Sequence, residues 1–204
     1  GDGSITMLVD QVDGVSLNSP NDVVVHPDGS IWFTDPGYGV PKPLPQKEAI
    51  YRIDGQTGAI KRVDDSLVKP NGLCFSPDFK KLYVADTGPA KQEDKALHVF
   101  DVSADGGLRN GRHFAAIKYN GLIAGPDGQQ VDAHGNIWSS SGHSVEGING
   151  EHVFSPEGDL IGVILLPETC ANVCFGGSDR SRLFMTATTS MYSVSTKTQG
   201  AHGS

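Results

Sequence analysis

The chain has 204 residues, with 26 glycines, 12 prolines and a formal net charge of −8 at pH 7. This acidic balance argues against a nucleic-acid partner, because phosphate backbones require a basic face. No apolar run approaches the ~20 residues of a membrane span and no secretory leader is visible before Gly1, so we expect no membrane partner. Three cysteines, Cys74, Cys170 and Cys174, lack metal-finger spacing and favour a reducing compartment such as the cytoplasm.

In chain order, the first predicted strand is Ser4–Val9 (SITMLV), and a unit that recurs four times follows it. The copies are NDVVVHPDGSIWFTD (21–35), NGLCFSPDFKKLYVAD (71–86), DGQQVDAHGNIWSSS (127–141) and NVCFGGSDRSRLFMTA (172–187). Each opens with Asn or Asp, runs through a short strand into a polar turn, and returns on a strand that carries an aromatic residue. The spacing of about 45–56 residues is typical of repeated β-units.

A second hairpin follows each of the first three copies, at 50–63, 97–114 and 151–164, with glycine-containing turns. Two consecutive hairpins make a four-stranded antiparallel meander, and such units arranged around an axis form a β-propeller. The last unit has only three strands, near 172–176, 182–187 and 190–195, so we expect Ser4–Val9 to complete it. The sequence therefore predicts an all-β propeller with about four blades, as a single domain over 1–204.

The longer loops, 35–49, 86–96 and 141–151, all follow the first hairpin of a unit and should emerge on one face, where repeat proteins usually bind ligands. The residues that open the copies would converge on one axis; they are Asn21, Asn71, Asp127 and Asn172. Taken alone, Asn71–Gly72 and Asp127–Gly128 are more typical of turns than of ligand sites. The recurring aromatic column is expected to pack between blades.

Four segments, LNSPNDVVVHPDGSIWFTDPGYG, KPNGLCFSPD, GPDGQQVDAHGNIWSSS and LFMTATTSMYSV, resemble the SMP-30/gluconolactonase/luciferin-regenerating enzyme family, most of all its bacterial gluconolactonases. The resemblance covers essentially the whole chain. It implies a six-bladed propeller with a central divalent cation that hydrolyses sugar lactones and related esters. Six blades at this spacing need ~300 residues, and the family's Glu-Gly-Pro metal motif is absent. We therefore expect a propeller truncated at its N-terminus rather than one closed as four blades.

By the same resemblance, Asn71 and Asp127 are metal ligands and Asp127 is also the general base. Asn21 lies beside the metal and contacts the substrate, and Ser19 occupies the position of an arginine that some sugar lactonases carry. Tyr38, in the PGYG loop, is expected at the pocket rim. An all-oxygen donor set suits a hard cation, so we expect Ca²⁺, with Mg²⁺ or Zn²⁺ as alternatives.

The leading hypothesis is a metal-dependent lactonase that opens a sugar lactone such as gluconolactone. The cation would polarise the carbonyl and Asp127 would take a proton from the attacking water. Two alternatives remain open: a catalytically silent propeller that binds a ligand or acts as a scaffold, and an esterase or phosphotriesterase on the same fold. A small-molecule lactone is the expected partner, and blades with open edges would favour self-association.

Overall fold

The computed structural model describes residues 2–88, 91–142 and 145–202. In these ranges the structure is almost entirely antiparallel β-sheet, with one 3₁₀ turn at Gln92–Asp94 and no helix able to cross a membrane. The strands, numbered in chain order, are β1 Gln11–Val12, β2 Val15–Ser16, β3 Val23–Val25, β4 Ile31–Asp35, β5 Ala49–Ile53, β6 Ile60–Asp64, β7 Pro70–Phe75, β8 Lys81–Asp86, β9 Ala96–Val102, β10 Leu108–Ala115, β11 Ile117–Tyr119, β12 Leu122–Val131, β13 Ile137–Gly142, β14 Gly150–Phe154, β15 Leu160–Leu165, β16 Cys170–Gly176, β17 Arg182–Ala187 and β18 Met191–Ser195.

These strands form four blades of a β-propeller, as the sequence predicts. Blade 1 is β3–β6, blade 2 is β7–β10, blade 3 is β11–β15 and blade 4 is β16–β18, each with neighbouring strands paired antiparallel. Only the first two blades have the predicted four-stranded meander. Blade 3 gains the short strand β11, which pairs with the first residues of β12, and blade 4 has three strands. A small hairpin, β1–β2, precedes blade 1.

The prediction that Ser4–Val9 completes blade 4 is wrong. Residues 4–9 form no strand, and Ile5 and Met7 are 97% and 73% exposed. The segment is instead held at blade 1, where Val9 packs against the apolar cluster of that sheet together with Leu17. Of its apolar residues only Val9 joins this cluster, Ile5, Met7 and Leu8 stay exposed, and the segment does not pair with the edge of blade 4.

The innermost strands of successive blades, β3, β7, β12 and β16, lie next to one another in that order. The aromatic column packs between blades, as expected: Trp32 is buried with its ring edge-on to Phe75 of blade 2, and Trp138 makes the same contact with Phe175 of blade 4. Such edge-to-face pairs favour one packing angle between neighbouring sheets. The core is therefore a row of apolar clusters between successive blades.

The two ends of the blades differ. At one end, here the turn face, the first hairpin of each blade closes in a tight turn of a few residues, and the C-terminal segment crosses these turns. There Gly200 N donates to Arg180 O, Ala201 N donates to Val131 O, and the His202 ring packs on Phe79. At the other end, here the loop face, the connection 36–48 meets the residues that follow β8, where the Tyr38 hydroxyl contacts Thr87 Oγ1.

Candidate functional site

Asn71 and Asp127 lie within the innermost strands β7 and β12, so the interpretation of their Asn-Gly and Asp-Gly pairs as turns is wrong. Each strand shifts its pairing register at this point, between Pro70 and Leu73 in β7 and between Pro126 and Gln129 in β12. Bulges of this kind re-aim a side chain that a regular ladder would direct into the sheet. The repeat thus places a polar residue at an equivalent irregularity in two neighbouring blades.

The glycines that follow these residues are required by the close approach of neighbouring strands. A Cβ atom on Gly72 would collide with the backbone carbonyl of Asp127, and one on Gly128 would collide with the side chain of Asn172. Only glycine lets successive inner strands pass at this distance. The Asn-Gly and Asp-Gly pairs therefore combine a polar side chain with a glycine that the packing of the strands requires.

Four side chains on the loop face form a continuous hydrogen-bonded chain. Asn21 Nδ2 donates to Asn71 Oδ1 at 3.0 Å, and Asn71 Nδ2 donates to the Tyr38 hydroxyl at 3.0 Å. The Tyr38 hydroxyl in turn meets Thr87 Oγ1. Asn71 is buried, whereas Asn21 is exposed and Tyr38 is half-buried. The structure thus brings three of the predicted site residues together from blades 1 and 2.

Asp127 belongs to the same neighbourhood. It is half-buried, and its carboxylate lies against Gly142 at the end of β13, where a Cβ atom would come within 2.6 Å of Asp127 Oδ2. Burial raises the pKa of Tyr38, and the negative charges of Asp127 and Glu48 raise it further. The phenol is therefore protonated at neutral pH, and the Asp127 carboxylate is close enough to influence it.

Two other predicted positions have backbone roles in the structure. The Ser19 backbone N–H donates to Asp35 Oδ1 at 2.7 Å, which fixes the entry of the chain into blade 1. Asn172 Oδ1 accepts the backbone N–H of Val173 at 2.7 Å. Neither contact joins these residues to the Asn21–Asn71 pair.

His152, near the third long loop, does not add to the cluster. His143 lies outside the described residues. His152 is fully buried in β14 and neither of its ring nitrogens has a hydrogen-bond partner. Burial lowers its pKa to about 4, so this ring is neutral at physiological pH.

Sequence reasoning missed one buried acid, Glu151 in β14. Its side chain is fully buried, Cys170 Sγ donates to Glu151 Oε1 at 3.1 Å, and Oε2 has no partner. Burial raises the pKa of Glu151 to about 8, and the charge of Asp127 adds to the shift. Glu151 lies between blades 3 and 4, and nothing in the local sequence EHVF distinguishes it from a solvent-facing strand residue.

The sequence also gave no signal for Lys69 and Glu48, which hold the Tyr38 loop. Lys69 Nζ lies 4.9 Å from the centre of the Tyr38 ring and 3.5 Å from Glu48 Oε1. Glu48 Oε1 accepts the Gly37 backbone N–H at 2.6 Å. These residues come from separate stretches of sequence, and only the juxtaposition of blades 1 and 2 reveals their connection.

The donor chemistry of the cluster fits a hard divalent cation. Asn21 and Asn71 present amide oxygens and Asp127 presents a carboxylate, which are the groups that Ca²⁺ and Mg²⁺ prefer. Within ranges 2–88, 91–142 and 145–202 no group of three or more His, Cys, Asp and Glu side chains could hold a metal. A soft-metal site of the zinc type is therefore not formed by these residues, whereas a site with one carboxylate and amide ligands is compatible with them.

The chain is thus a β-propeller whose neighbouring inner strands β7 and β12 carry Asn71 and Asp127 at equivalent irregularities. Residues 1–189 match the SMP-30/Gluconolactonase/LRE-like region. The chain therefore belongs to this family.

Individual relatives agree with this assignment. The chain is 30% identical over 208 residues to a gluconolactonase of Zymomonas mobilis, a match that covers 96% of this chain and 55% of the relative. A solved gluconolactonase of Xanthomonas campestris superposes with a TM-score of 0.80 at 36% identity, over 98% of this chain and 62% of that one. A solved calcium-binding protein, the regucalcin of Agrobacterium tumefaciens, superposes with a TM-score of 0.65 at 26% identity, over 82% and 52%. The chain spans about half the length of the curated relatives it matches.

Proposed function

We propose that this chain carries the central site of a divalent-cation-dependent lactonase that opens a sugar lactone to the aldonic acid. The observation that supports it most directly is that Asn71 and Asp127 lie in neighbouring inner strands, with Asn21, just before β3, joined to Asn71 at 3.0 Å. The gluconolactonase relatives support the reaction class, and the calcium-binding regucalcin supports the cation.

In this proposal Asn71, Asp127 and Asn21 hold the cation through side-chain oxygens. A bound divalent cation supplies Lewis acidity toward the lactone carbonyl oxygen, which carries the developing negative charge during ring opening. Asp127 accepts a proton from the attacking water. Asn21, which is exposed at the end of the cluster, orients a substrate hydroxyl or the water, and Ser19 and the loop that carries Tyr38 border the substrate.

The proposal is tested by following acid release from glucono-1,5-lactone above the uncatalysed rate. The full chain is stripped with a chelator and then reloaded with Ca²⁺, Mg²⁺ or Zn²⁺ in separate assays. We expect activity to be lost on chelation and restored by at least one of these ions. Asp127→Ala is expected to lower kcat/KM by at least about 100-fold, the effect of removing a general base.

Asp78→Ala is the matched control, because Asp78 is an exposed aspartate in the turn between β7 and β8. It should leave the activity unchanged. Full activity in Asp127→Ala would refute the assigned role of that carboxylate. A wild-type chain that binds Ca²⁺ without accelerating ring opening would favour a silent binding propeller.

A further inference from the structure

The amide of Asn71 must be held in one of two orientations for the proposed site to work. Its oxygen and nitrogen are nearly isosteric, so the orientation depends on the groups that surround the amide. Only the oxygen can ligate a cation. In the structure Oδ1 accepts a hydrogen bond from Asn21 Nδ2, and Nδ2 donates to the Tyr38 hydroxyl, each at 3.0 Å.

The hydroxyl groups beyond Asn71 define the direction of this hydrogen-bonded chain. Thr87 Oγ1 donates to the backbone carbonyl of Lys69 at 3.3 Å, so its single proton is used there. Thr87 can then only accept from the Tyr38 hydroxyl, whose own single proton is used in turn. The Tyr38 oxygen therefore offers Asn71 lone pairs alone, and the amide must turn its NH₂ group toward Tyr38.

The Tyr38 ring is itself held from blade 2. The Lys69 ammonium lies 4.9 Å from the ring centre, a cation–π contact, and pairs with Glu48 at the far end of the same loop. Glu48 also accepts the backbone N–H of Gly37, the residue before Tyr38. Both ends of the loop are thus tied together beside the ring, which fixes where the hydroxyl can lie.

We propose that Tyr38 and Thr87 are positioning residues that keep the Asn71 amide oxygen available to the cation of the central site. This inference rests on the proposed function and deepens it. It also gives Tyr38 a role other than substrate contact, because the hydroxyl is engaged with two protein side chains on the loop face.

The test is calorimetric titration of the chelator-stripped chain with Ca²⁺. Tyr38→Phe removes the acceptor for the Asn71 NH₂ group, and Thr87→Val frees the Tyr38 proton to compete for the Asn71 oxygen. Both variants are expected to weaken Ca²⁺ binding by about 10-fold or more, the usual effect of losing a partner of a metal ligand. Thr87→Ser retains the hydroxyl and should bind Ca²⁺ as the wild type does.

Tyr51→Phe is the control for loss of a tyrosine hydroxyl, since that group bonds Gln46 and Arg62 and none of the site residues. Its Ca²⁺ affinity should equal that of the wild type. If Tyr38→Phe binds Ca²⁺ as tightly as the wild type, the inference is overturned and the proposed lactonase is unaffected. The same conclusion follows if Tyr38→Phe and Tyr51→Phe lose equal amounts of Ca²⁺ affinity. If the wild type binds no Ca²⁺, both the inference and the proposal that Ca²⁺ is the cation of the lactonase are overturned. The lactone assay with Mg²⁺ and Zn²⁺ would then test the lactonase activity on its own.

Discussion

The turn face and the loop face use the same polar residue types in opposite ways. On the turn face, Asp78 accepts hydrogen bonds from Ser76 Oγ at 2.7 Å and from the Lys80 backbone at 3.2 Å, all within one hairpin. On the loop face, Asp22 accepts the backbone N–H of Leu73 from the next blade at 3.1 Å. One aspartate thus stabilises a local turn, and the other joins two sheets.

The pKa values follow the same division. Hydrogen bonds from Ser76 and Lys80 lower the pKa of Asp78, and hydrogen bonds from Thr57 lower that of Asp54, another turn residue, to about 2. Burial raises the pKa of Asp22 and of Glu151. These acids on the turn face accept hydrogen bonds from residues of the same turn and remain ionised. The acids between blades are desolvated by residues that are distant in the sequence.

The largest effect is expected where the innermost strands meet. Gly72→Ala should lower the free energy of unfolding by about 3 kcal/mol, the upper end for overpacking, because the new methyl group collides with the Asp127 backbone carbonyl. Urea denaturation measures it. Gly162→Ala in the outer strand β15 is the control, because its methyl group would meet only Val153 at an ordinary 3.7 Å and should change stability little. Equal effects in the two variants would contradict the close approach of β7 and β12.

Much of the fold could be predicted from the sequence because its signals are local. Alternating apolar residues and glycine turns specify each hairpin, and the repeat of the pattern specifies the blades. The fate of Ser4–Val9 could not be predicted, since a strand needs an available edge and that edge belongs to a remote part of the chain. In the structure only Val9 of this segment packs on a nearby sheet, and Ile5, Met7 and Leu8 are exposed.

The candidate site was predictable only in part, for the same reason. Asn21, Asn71 and Asp127 are marked by their equivalent places in the repeat. The contacts of Tyr38 depend on how loop 36–48 crosses to blade 2. The repeat pattern of the sequence does not predict the path of this loop. Glu151 sits beside residues of ordinary strand type, and only the packing of Cys170 from the next blade reveals that it is buried.

The second prediction concerns the desolvated acid between blades 3 and 4. The pKa of Glu151 is about 8 in the folded chain and near 4.5 when unfolded, so below pH 4.5 it is protonated in both states. As the pH rises toward 8 only the unfolded chain releases the proton, and stability falls across this interval. Glu151→Gln removes this dependence. The difference in free energy of unfolding, variant minus wild type, should therefore increase by about 2 kcal/mol from pH 5 to pH 7.

Denaturant unfolding of both proteins across this pH range measures the difference, and contributions from His152 and other shared groups cancel. Glu157→Gln, in the exposed turn between β14 and β15, is the control for replacing a glutamate by glutamine at the surface. If the difference in free energy of unfolding between Glu151→Gln and the wild type does not vary with pH, Glu151 is ionised inside the fold. The proposed contrast between acids in turns and acids between blades would then not hold for Glu151.

The smallest effect separates the two kinds of aspartate directly. Asp22→Ala removes the acceptor of the Leu73 N–H and of the Val23 N–H, so it should lower the free energy of unfolding by about 1–2 kcal/mol. Asp78→Ala removes bonds within an exposed turn and should cost no more than about 0.5 kcal/mol. Equilibrium denaturation at neutral pH resolves the two values. If Asp78→Ala were as destabilising as Asp22→Ala, local turn bonds would contribute as much as a bond between blades, because each variant removes one carboxylate that accepts two hydrogen bonds and only Asp22 has one of its two, from Leu73, across separate sheets.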